Sequence, residues 1–174
     1  EKQKLLIERR ANNMISLEWV KDYIDISDQD LEELAVKITQ SGINVEKVIT
    51  NHINNLVIGE VLECVAHPDS DHLHVCKVNV GNTTEQIVCG APNVREGLKV
   101  IVALPGAVLP GDFEIKKSKI RGVESNGMLC ALYELGLEEK NDETYAKGIE
   151  ELGTDASVGE APLKYLGLDD TLYE

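Results

Sequence analysis

The sequence predicts an α+β fold in which a small, closed, five-stranded β-barrel is inserted into a small α/β domain formed by the two flanks of the chain. Three observations support this: hydrophobic periodicity changes from helical to strand-like near residue 55, short β-branched runs follow at even spacing, and most of the acidic excess lies outside those runs. We predict residues 14–54 and 138–174 as the flanking domain and residues 55–137 as the barrel domain.

The amino-terminal flank carries the clearest helical signal. Its apolar residues recur at helical spacing after a capping-box pair, Ser27 and Asp30, and they are Leu31, Leu34, Ala35 and Ile38. The carboxy-terminal flank has a strand-like segment, Ala146 to Leu152, and a helix-compatible one, Ala161 to Leu166. Neither flank can form a core alone, so we expect the two to pack together. Residues 1–13 lack the features of a secretory signal, and we interpret them as an added leader or a frayed extension.

The middle segment contains six β-branched runs separated by Gly, Pro, Asn and Asp turn clusters. The runs are Leu56 to Val65, His74 to Val80, Gln86 to Cys89, Val100 to Leu104, Phe113 to Ile120 and Met128 to Leu132. Closing such a sheet into a barrel removes its exposed edges. A five-stranded oligonucleotide-binding barrel, the OB-fold, has about this size.

Composition narrows the functional class. The chain has 174 residues and a formal charge of −14, and no apolar run approaches the ~18 residues of a membrane-spanning helix. Its four cysteines show no C-x-x-C pair, which favours a reducing, cytoplasmic location. Strong acidity disfavours nucleic-acid binding, since such binding depends on Lys and Arg. However, the barrel segment accounts for only −3 of the charge, whereas residues 138–174 account for −8.

The densest group of reactive side chains is the segment His67 to Cys76, in which His, Asp and Cys types are those that bind metals. A structural role is favoured, because Cys76 lies between two valines in a predicted strand and cysteine is often simply buried. No nucleophile, phosphate-loop or dinucleotide motif occurs. We therefore predict no catalytic residue, no metal site and no cofactor in this chain.

The one dense basic cluster is the run from Ile115 to Gly122. In a strand, Lys117, Lys119 and Arg121 would project to one face about 7 Å apart, close to the phosphate spacing of a single nucleic-acid strand. Alternatively, lysines on an edge strand discourage pairing with another sheet. The pattern alone leaves both readings open. The segment has only Phe113 and Tyr133 as aromatic residues, so we expect any RNA binding to be weak and salt-sensitive.

Three motifs in this order resemble the tRNA-binding oligonucleotide-fold module of several synthetases and free-standing tRNA-binding proteins. They extend from His67 to Val78, from Gln86 to Val94 and from Lys117 to Met128. Four flanking segments, 14–23, 41–46, 158–160 and 165–170, extend the likeness. From residue 14 to 174 the chain therefore resembles the amino-terminal part of the bacterial phenylalanyl-tRNA synthetase beta subunit.

This resemblance implies a class II ligase of α2β2 composition that joins phenylalanine to tRNA with ATP and Mg²⁺, with catalysis in the alpha subunit. The implied RNA-binding residues here are Lys117, Lys119, Arg121, Ser125 and Asn126. Ser70 and His72 depart from the family's usual Ala and Lys, which lowers the positive potential at that turn. The implied partners are tRNA and the alpha subunit, with no membrane and no DNA. The alternatives are a structural or interaction module and a free-standing tRNA-binding protein.

Overall fold

The computed structural model describes residues 15–16, 31–40, 48–50, 53–168 and 171–173. The chain divides into two compact units, one of residues 53–165 and one formed by the chain ends, residues 1–52 and 166–174. The predicted leader and the helix-cap pair Ser27 and Asp30 lie outside the described residues. The chain therefore combines a continuous central unit with a unit built from both ends.

Within its described residues, the unit of the chain ends contains a helix, Leu31–Gln40, and three strands. The strands are β1 (Ile15–Ser16), β2 (Val48–Thr50) and β13 (Thr171–Tyr173), and they form an antiparallel sheet in the order β1-β13-β2. Leu34 and Ala35 are buried, as the helical periodicity predicts. The two ends of the chain thus share one sheet, although residues 138–165 do not belong to this unit.

The central unit is built on one antiparallel sheet of six strands. Its members are β3 (Leu56–Ala66), β4 (His74–Asn79), β5 (Thr84–Cys89), β6 (Lys99–Ala103), β11 (Met128–Leu129) and β12 (Glu151–Leu152). The order is β11-β6-β3-β4-β5, and β12 pairs with the other end of β6. Two short hairpins accompany it: β7 (Val108–Leu109) with β8 (Phe113–Glu114), and β9 (Ser118–Ile120) with β10 (Val123–Ser125).

The prediction of a closed barrel is wrong, because this six-stranded ladder has two ends and does not close on itself. The chain between β10 and β11 approaches β5 through the backbone N–H of Asn126, which donates to the Gln86 carbonyl at 2.8 Å. Near this contact, the Val88 N–H on β5 donates to the side-chain hydroxyl of Ser125 instead of to a backbone carbonyl of a neighbouring strand. β10 itself pairs with β9, so it does not continue the ladder.

The core lies on the inner face of β3 to β6, where alternate side chains are fully buried. It contains Val61, Cys76, Val78, Ile87, Val100 and Val102, each no more than 1% exposed. The register explains the set, because Cys76 lies opposite Cys64 on one side and Ile87 on the other. Period-two alternation therefore positions the inner face, as the β-branched runs predict.

Residues 138–165 belong to the central unit, so that unit extends beyond the predicted 55–137 segment. Its helices are a 3₁₀ helix, Leu132–Leu135, and two short α-helices, Asp142–Lys147 and Pro162–Tyr165. After β12 the chain returns to β3, where the Ile58 N–H donates to Glu160 and the Gly159 N–H donates to Ile58, both at 2.8 Å. The acidic tail thus satisfies backbone groups of β3 and β6 that β4 and β11 leave open.

Asn93 fastens this tail to the loop after β5. Its side-chain amide donates to the Ile149 carbonyl at 2.8 Å and its oxygen accepts from the Ile149 N–H at 3.0 Å, as a neighbouring strand would. Arg95 adds a two-pronged ion pair with Glu151. The hydrogen bonds from Arg95 and Asn93 lower the pKa of the Glu151 carboxyl. The second sequence motif, Gln86 to Val94, therefore holds the tail through its Asn93.

Candidate nucleic-acid interface

The predicted basic strand is interrupted in the structure. Strand β8 ends at Glu114 and β9 begins at Ser118, so Lys117 lies just before β9 and Lys119 lies within it. Arg121 occupies the tight turn to β10 with a left-handed backbone, φ 48°. The prediction that the three cations are regularly spaced along one strand face is thus wrong, because the chain reverses direction at Arg121. The three residues nevertheless remain together in one hairpin. We call residues 117–126 the basic hairpin.

Acidic groups accompany the cations of the basic hairpin. Lys119 lies directly opposite Glu124 across the hairpin, and just outside it Lys116 forms an ion pair with Glu114 at 3.2 Å. Both side chains of that pair are more than half exposed, so it contributes little to stability. Lys117 and Lys119 are exposed. The surface therefore carries a local positive charge that nearby carboxylates reduce, which is consistent with weak attraction for phosphate.

Two contacts connect the basic hairpin to the loop between β3 and β4. The guanidinium of Arg121 donates to the Asp69 carbonyl at 2.9 Å. The ring of His67, which is 3% exposed, has its Nε2 3.0 Å from the Ile120 carbonyl, while its Nδ1 accepts from the Asp69 N–H at 3.0 Å. A carbonyl only accepts, so His67 is the neutral tautomer with its proton on Nε2. Two of the sequence motifs thus meet at one place.

This contact gives His67 a structural role that the sequence did not reveal. The residue types around His67 are those of a metal site, but both of its ring nitrogens are already hydrogen-bonded to backbone groups. His72 is exposed on the loop and Cys76 is buried in the core. Among the described residues, no group of three His, Cys, Asp or Glu side chains is arranged to hold a metal. The segment from His67 to Cys76 is thus a loop and strand built around one buried histidine.

Ser125 does not lie on the surface. It is 1% exposed, and its hydroxyl accepts from the Val88 N–H at 3.0 Å and donates to the Gly127 carbonyl at 3.3 Å. Asn126 is half-buried, with its amide 3.4 Å from the Glu85 carboxylate. Direct contact between the Ser125 side chain and RNA would therefore require the loss of two internal hydrogen bonds. In this structure Ser125 positions the end of the basic hairpin against β5.

We expect Ser125→Ala to lower the free energy of unfolding by about 1–2 kcal/mol, because it leaves the buried Val88 N–H without a partner. We expect tRNA affinity per folded molecule to stay unchanged. Urea denaturation and a tRNA titration of the folded fraction would measure the two effects separately. Asn126→Ala is the matched control with a smaller stability loss, since its side-chain contact is long. Unchanged stability with reduced affinity for Ser125→Ala would contradict this interpretation.

Lys77 is an additional exposed cation, outside the basic run of the sequence. Its Nζ donates to the Gln86 side-chain oxygen at 2.8 Å, and the Gln86 amide donates to the Glu124 carbonyl at 2.8 Å. This chain of contacts joins β4, β5 and the basic hairpin. Lys77 and Gln86 lie directly opposite each other on β4 and β5, a pairing that depends on the register of the two strands. The candidate interface is thus an exposed basic hairpin held by His67, Ser125 and Gln86.

Comparison with known proteins identifies the family. The family described as "Putative tRNA binding domain" matches residues 56–158, which is more than half of the chain. The chain belongs to this family. The match includes β3 to β12, the basic hairpin and the tail as far as residue 158, which together make up most of the central unit of residues 53–165. It also confirms the resemblance of the three sequence motifs to a tRNA-binding module.

Curated relatives of this tRNA-binding domain are similar over nearly the whole chain. The phenylalanine–tRNA ligase beta subunits of Oceanobacillus iheyensis and Lactiplantibacillus plantarum are each 51% identical to it, and that of Geobacillus kaustophilus is 47% identical. Each alignment covers 92% of this chain and 20% of the relative. The chain therefore spans about a fifth of the length of the curated relatives it matches. The predicted resemblance to this beta subunit is confirmed.

Two solved structures are also similar to the domain. A MetRS-related protein from Pyrococcus horikoshii aligns with a TM-score of 0.44 at 22% identity, over 60% of this chain and 84% of the other. The C-terminal domain of Plasmodium vivax p43 aligns with a TM-score of 0.43 at 25% identity, over 63% of this chain and 59% of the other.

Among the described residues, no helix has the length and apolar character needed to cross a membrane.

Proposed function

We propose that this chain is the tRNA-binding portion of a phenylalanine–tRNA ligase beta subunit. The observation that carries the proposal is the family match over residues 56–158, together with 47–51% identity to beta subunits over 92% of the chain. In this proposal the parent enzyme attaches phenylalanine to tRNA with ATP and Mg²⁺, and the alpha subunit of an α2β2 tetramer supplies the catalytic site. We assign this chain no catalytic step, and its cytoplasmic location stays a prediction.

We also propose that the six-stranded sheet is an OB-fold in its partly open form. The OB-fold is a five-stranded Greek-key barrel that need not close fully. The supporting features are the antiparallel meander of β3, β4 and β5, the return of β6 to β3, and the approach of residues 125–126 to β5. Strand β12 then counts as a tail strand added at the end of β6.

The proposed RNA contact is the basic hairpin, with Lys117 and Lys119 as direct phosphate ligands. Both side chains are exposed, whereas Arg121 is already engaged with the Asp69 carbonyl and Ser125 is buried. Arg121 would therefore act partly by holding the turn in place, and Asn126 would lie at the margin of the contact. Lysine ammonium groups bind phosphate as point charges, so binding of this kind depends on salt rather than on base sequence.

The test is a salt titration of tRNA binding. If Lys117, Lys119 and Arg121 neutralise about three phosphates, log K against log salt has a slope of roughly −2 with the single-strand coefficient. We expect the double variant Lys117→Ala/Lys119→Ala to reduce that slope to about −0.7, since only one contact remains. The matched control is Lys140→Ala/Lys164→Ala, which removes the same charge from the tail and should keep the original slope.

Two results would overturn the proposal. The first is absence of wild-type binding to the cognate tRNA even at low salt. The second is an equal loss of binding in the control pair, which would mean that overall charge and not the basic hairpin attracts RNA. Either result would favour the alternative that this segment is a structural or interaction module. That alternative is supported by the carboxylates of Glu114 and Glu124, which reduce the local positive charge.

A further inference from the structure

Two thiols face each other across the centre of the sheet. Cys64 on β3 and Cys76 on β4 are directly opposite in the antiparallel register. Their sulfur atoms are 3.8 Å apart, with the Cys76 thiol donating to the Cys64 sulfur. All four cysteines of the chain are free thiols. This contact belongs neither to the basic hairpin nor to the docked tail, and the proposed tRNA binding does not use it.

The backbone already has the geometry that a disulfide requires. Directly opposed residues of an antiparallel pair have Cα atoms about 4.5–5.5 Å apart, and disulfides tolerate about 4.4–6.8 Å. Bond formation needs the sulfurs to move from 3.8 Å to about 2.05 Å, which side-chain rotation supplies without a change of register. The opposed positions of Cys64 and Cys76 are therefore compatible with both a reduced and an oxidised state.

The two thiols differ in access, which sets the order of reaction. Cys64 is half-buried, whereas Cys76 is 0% exposed. Burial raises the pKa of the Cys76 thiol, and the neighbouring Cys64 raises it further. A reagent from solvent thus reaches Cys64 first, and Cys76 can only react with the sulfur beside it. The remaining thiols are buried and engaged with backbone groups: Cys89 accepts from the Ala91 N–H, and Cys130 donates to the Met128 carbonyl.

We propose that Cys64 and Cys76 form a redox modification site, at which a low-molecular-weight disulfide oxidises the pair to a cross-strand disulfide. The Cys64 thiolate attacks one sulfur of the reagent, which forms a mixed disulfide and releases one thiol. The Cys76 sulfur then attacks the Cys64 sulfur as the Cys76 proton passes to the departing reagent sulfur, which closes the cross-strand bond and releases the second thiol. Because the raised pKa keeps Cys76 protonated until this transfer, we expect this step to be slower than the first. In total two protein thiols are oxidised, one reagent disulfide is reduced to two thiols, and both protons go to the released thiols.

The site has a structural consequence for the loop between β3 and β4. The disulfide closes a short loop that contains His67 and Asp69, the residues that contact the basic hairpin. Cross-linking restricts the unfolded chain and so stabilises the folded state. We therefore expect the oxidised protein to unfold at higher urea concentration than the reduced protein. Formation of this disulfide does not require tRNA binding, so a chain that fails to bind tRNA could still form it.

The test treats the chain with oxidised glutathione and measures intact mass and peptide mass. We expect the loss of two hydrogen atoms within one tryptic peptide, since residues 48–77 contain both cysteines and no internal Lys or Arg. Cleavage before Asp69 or Asp71 should separate that peptide into halves that remain joined until reduction. Cys64→Ser should abolish the reaction, and Cys76→Ser should stop it at a glutathione adduct on Cys64. Cys130→Ser is the matched control and should react as the wild type does.

The proposal is overturned if the folded wild-type chain remains fully reduced, or if it accumulates a stable glutathione adduct on Cys64. It is also overturned if the peptides show Cys76 joined to Cys89 instead. These outcomes need only the wild-type protein, so a variant that fails to fold does not remove the test. Phenylarsine oxide, which binds two adjacent thiols, provides a second probe, and we expect it to protect Cys64 and Cys76 from alkylation.

Discussion

Gly59→Ala is expected to lower the free energy of unfolding of the central unit by about 3 kcal/mol. Gly59 is buried on β3, directly opposite Val100. A Cβ atom at this position would lie 2.6 Å from a methyl group of Val102 and 2.8 Å from one of Val78. Both valines are 0% exposed, so neither side chain has space to move away. The strands must separate instead, and urea denaturation followed by far-UV circular dichroism would measure the loss.

Gly90→Ala is the matched control for this prediction. Gly90 is exposed, and a Cβ atom there would meet only one methyl group of Leu73, at 3.1 Å, which a flexible side chain can move. We expect its stability to stay within about 1 kcal/mol of the wild type, because alanine also restricts the unfolded chain. If Gly59→Ala proved as stable as Gly90→Ala, this result would contradict the close packing of β3 between β4 and β6.

Asn93→Ala is expected to cost about 3 kcal/mol and to release the tail locally. The substitution removes the partners of both the N–H and the carbonyl of Ile149, a residue that is 3% exposed. Each buried backbone group left without a partner costs about 1–3 kcal/mol. Amide hydrogen exchange at residues 149–152 should therefore increase more than exchange in β4, and urea denaturation should give the total loss.

Arg95→Ala separates the amide contact from the neighbouring ion pair. Arg95 binds Glu151 at 2.9 and 3.0 Å, but its side chain is 59% exposed, and exposed pairs typically contribute less than about 1 kcal/mol. We expect this variant to retain the slow exchange of Ile149. A stability loss in Arg95→Ala as large as that in Asn93→Ala would show that the ion pair, not the asparagine, holds the tail.

Local patterns predict most elements of this chain, although the run Ala146 to Leu152, predicted as strand-like, begins inside the helix Asp142–Lys147 and is a strand only at Glu151–Leu152. The apolar spacing of Leu31, Leu34, Ala35 and Ile38 predicts the observed helix, and the β-branched runs predict β3, β4, β5, β6 and β11 to within a few residues. Both signals are short-range, since they depend on side-chain periods of 3.6 and 2.0 residues. The order of the three motifs also identifies the tRNA-binding family before any coordinates are known.

Local sequence patterns do not predict contacts between residues that are distant in the sequence. Periodicity treats Phe113 to Ile120 as one strand, yet the chain leaves β8 at Glu114 and turns at Arg121 with positive φ. Nothing in the local sequence shows that Ser125 hydrogen-bonds a strand 37 residues earlier, or that Asn93 reaches Ile149. Residues 138–165 also join the central unit through a contact distant in sequence, because β12 pairs with the end of β6 that β11 does not cover.

The sequence by itself determined the helix Leu31–Gln40, the main strands of the central sheet, the concentration of cations between residues 116 and 121, and the family of the chain. Only the tertiary structure decided that the sheet stays open, that Ser125 and His67 are internal supports, and that Cys64 faces Cys76. The physical reason is the range of the interactions. Side-chain period and turn chemistry act over a few residues, whereas burial and strand register bring together residues that are distant along the chain.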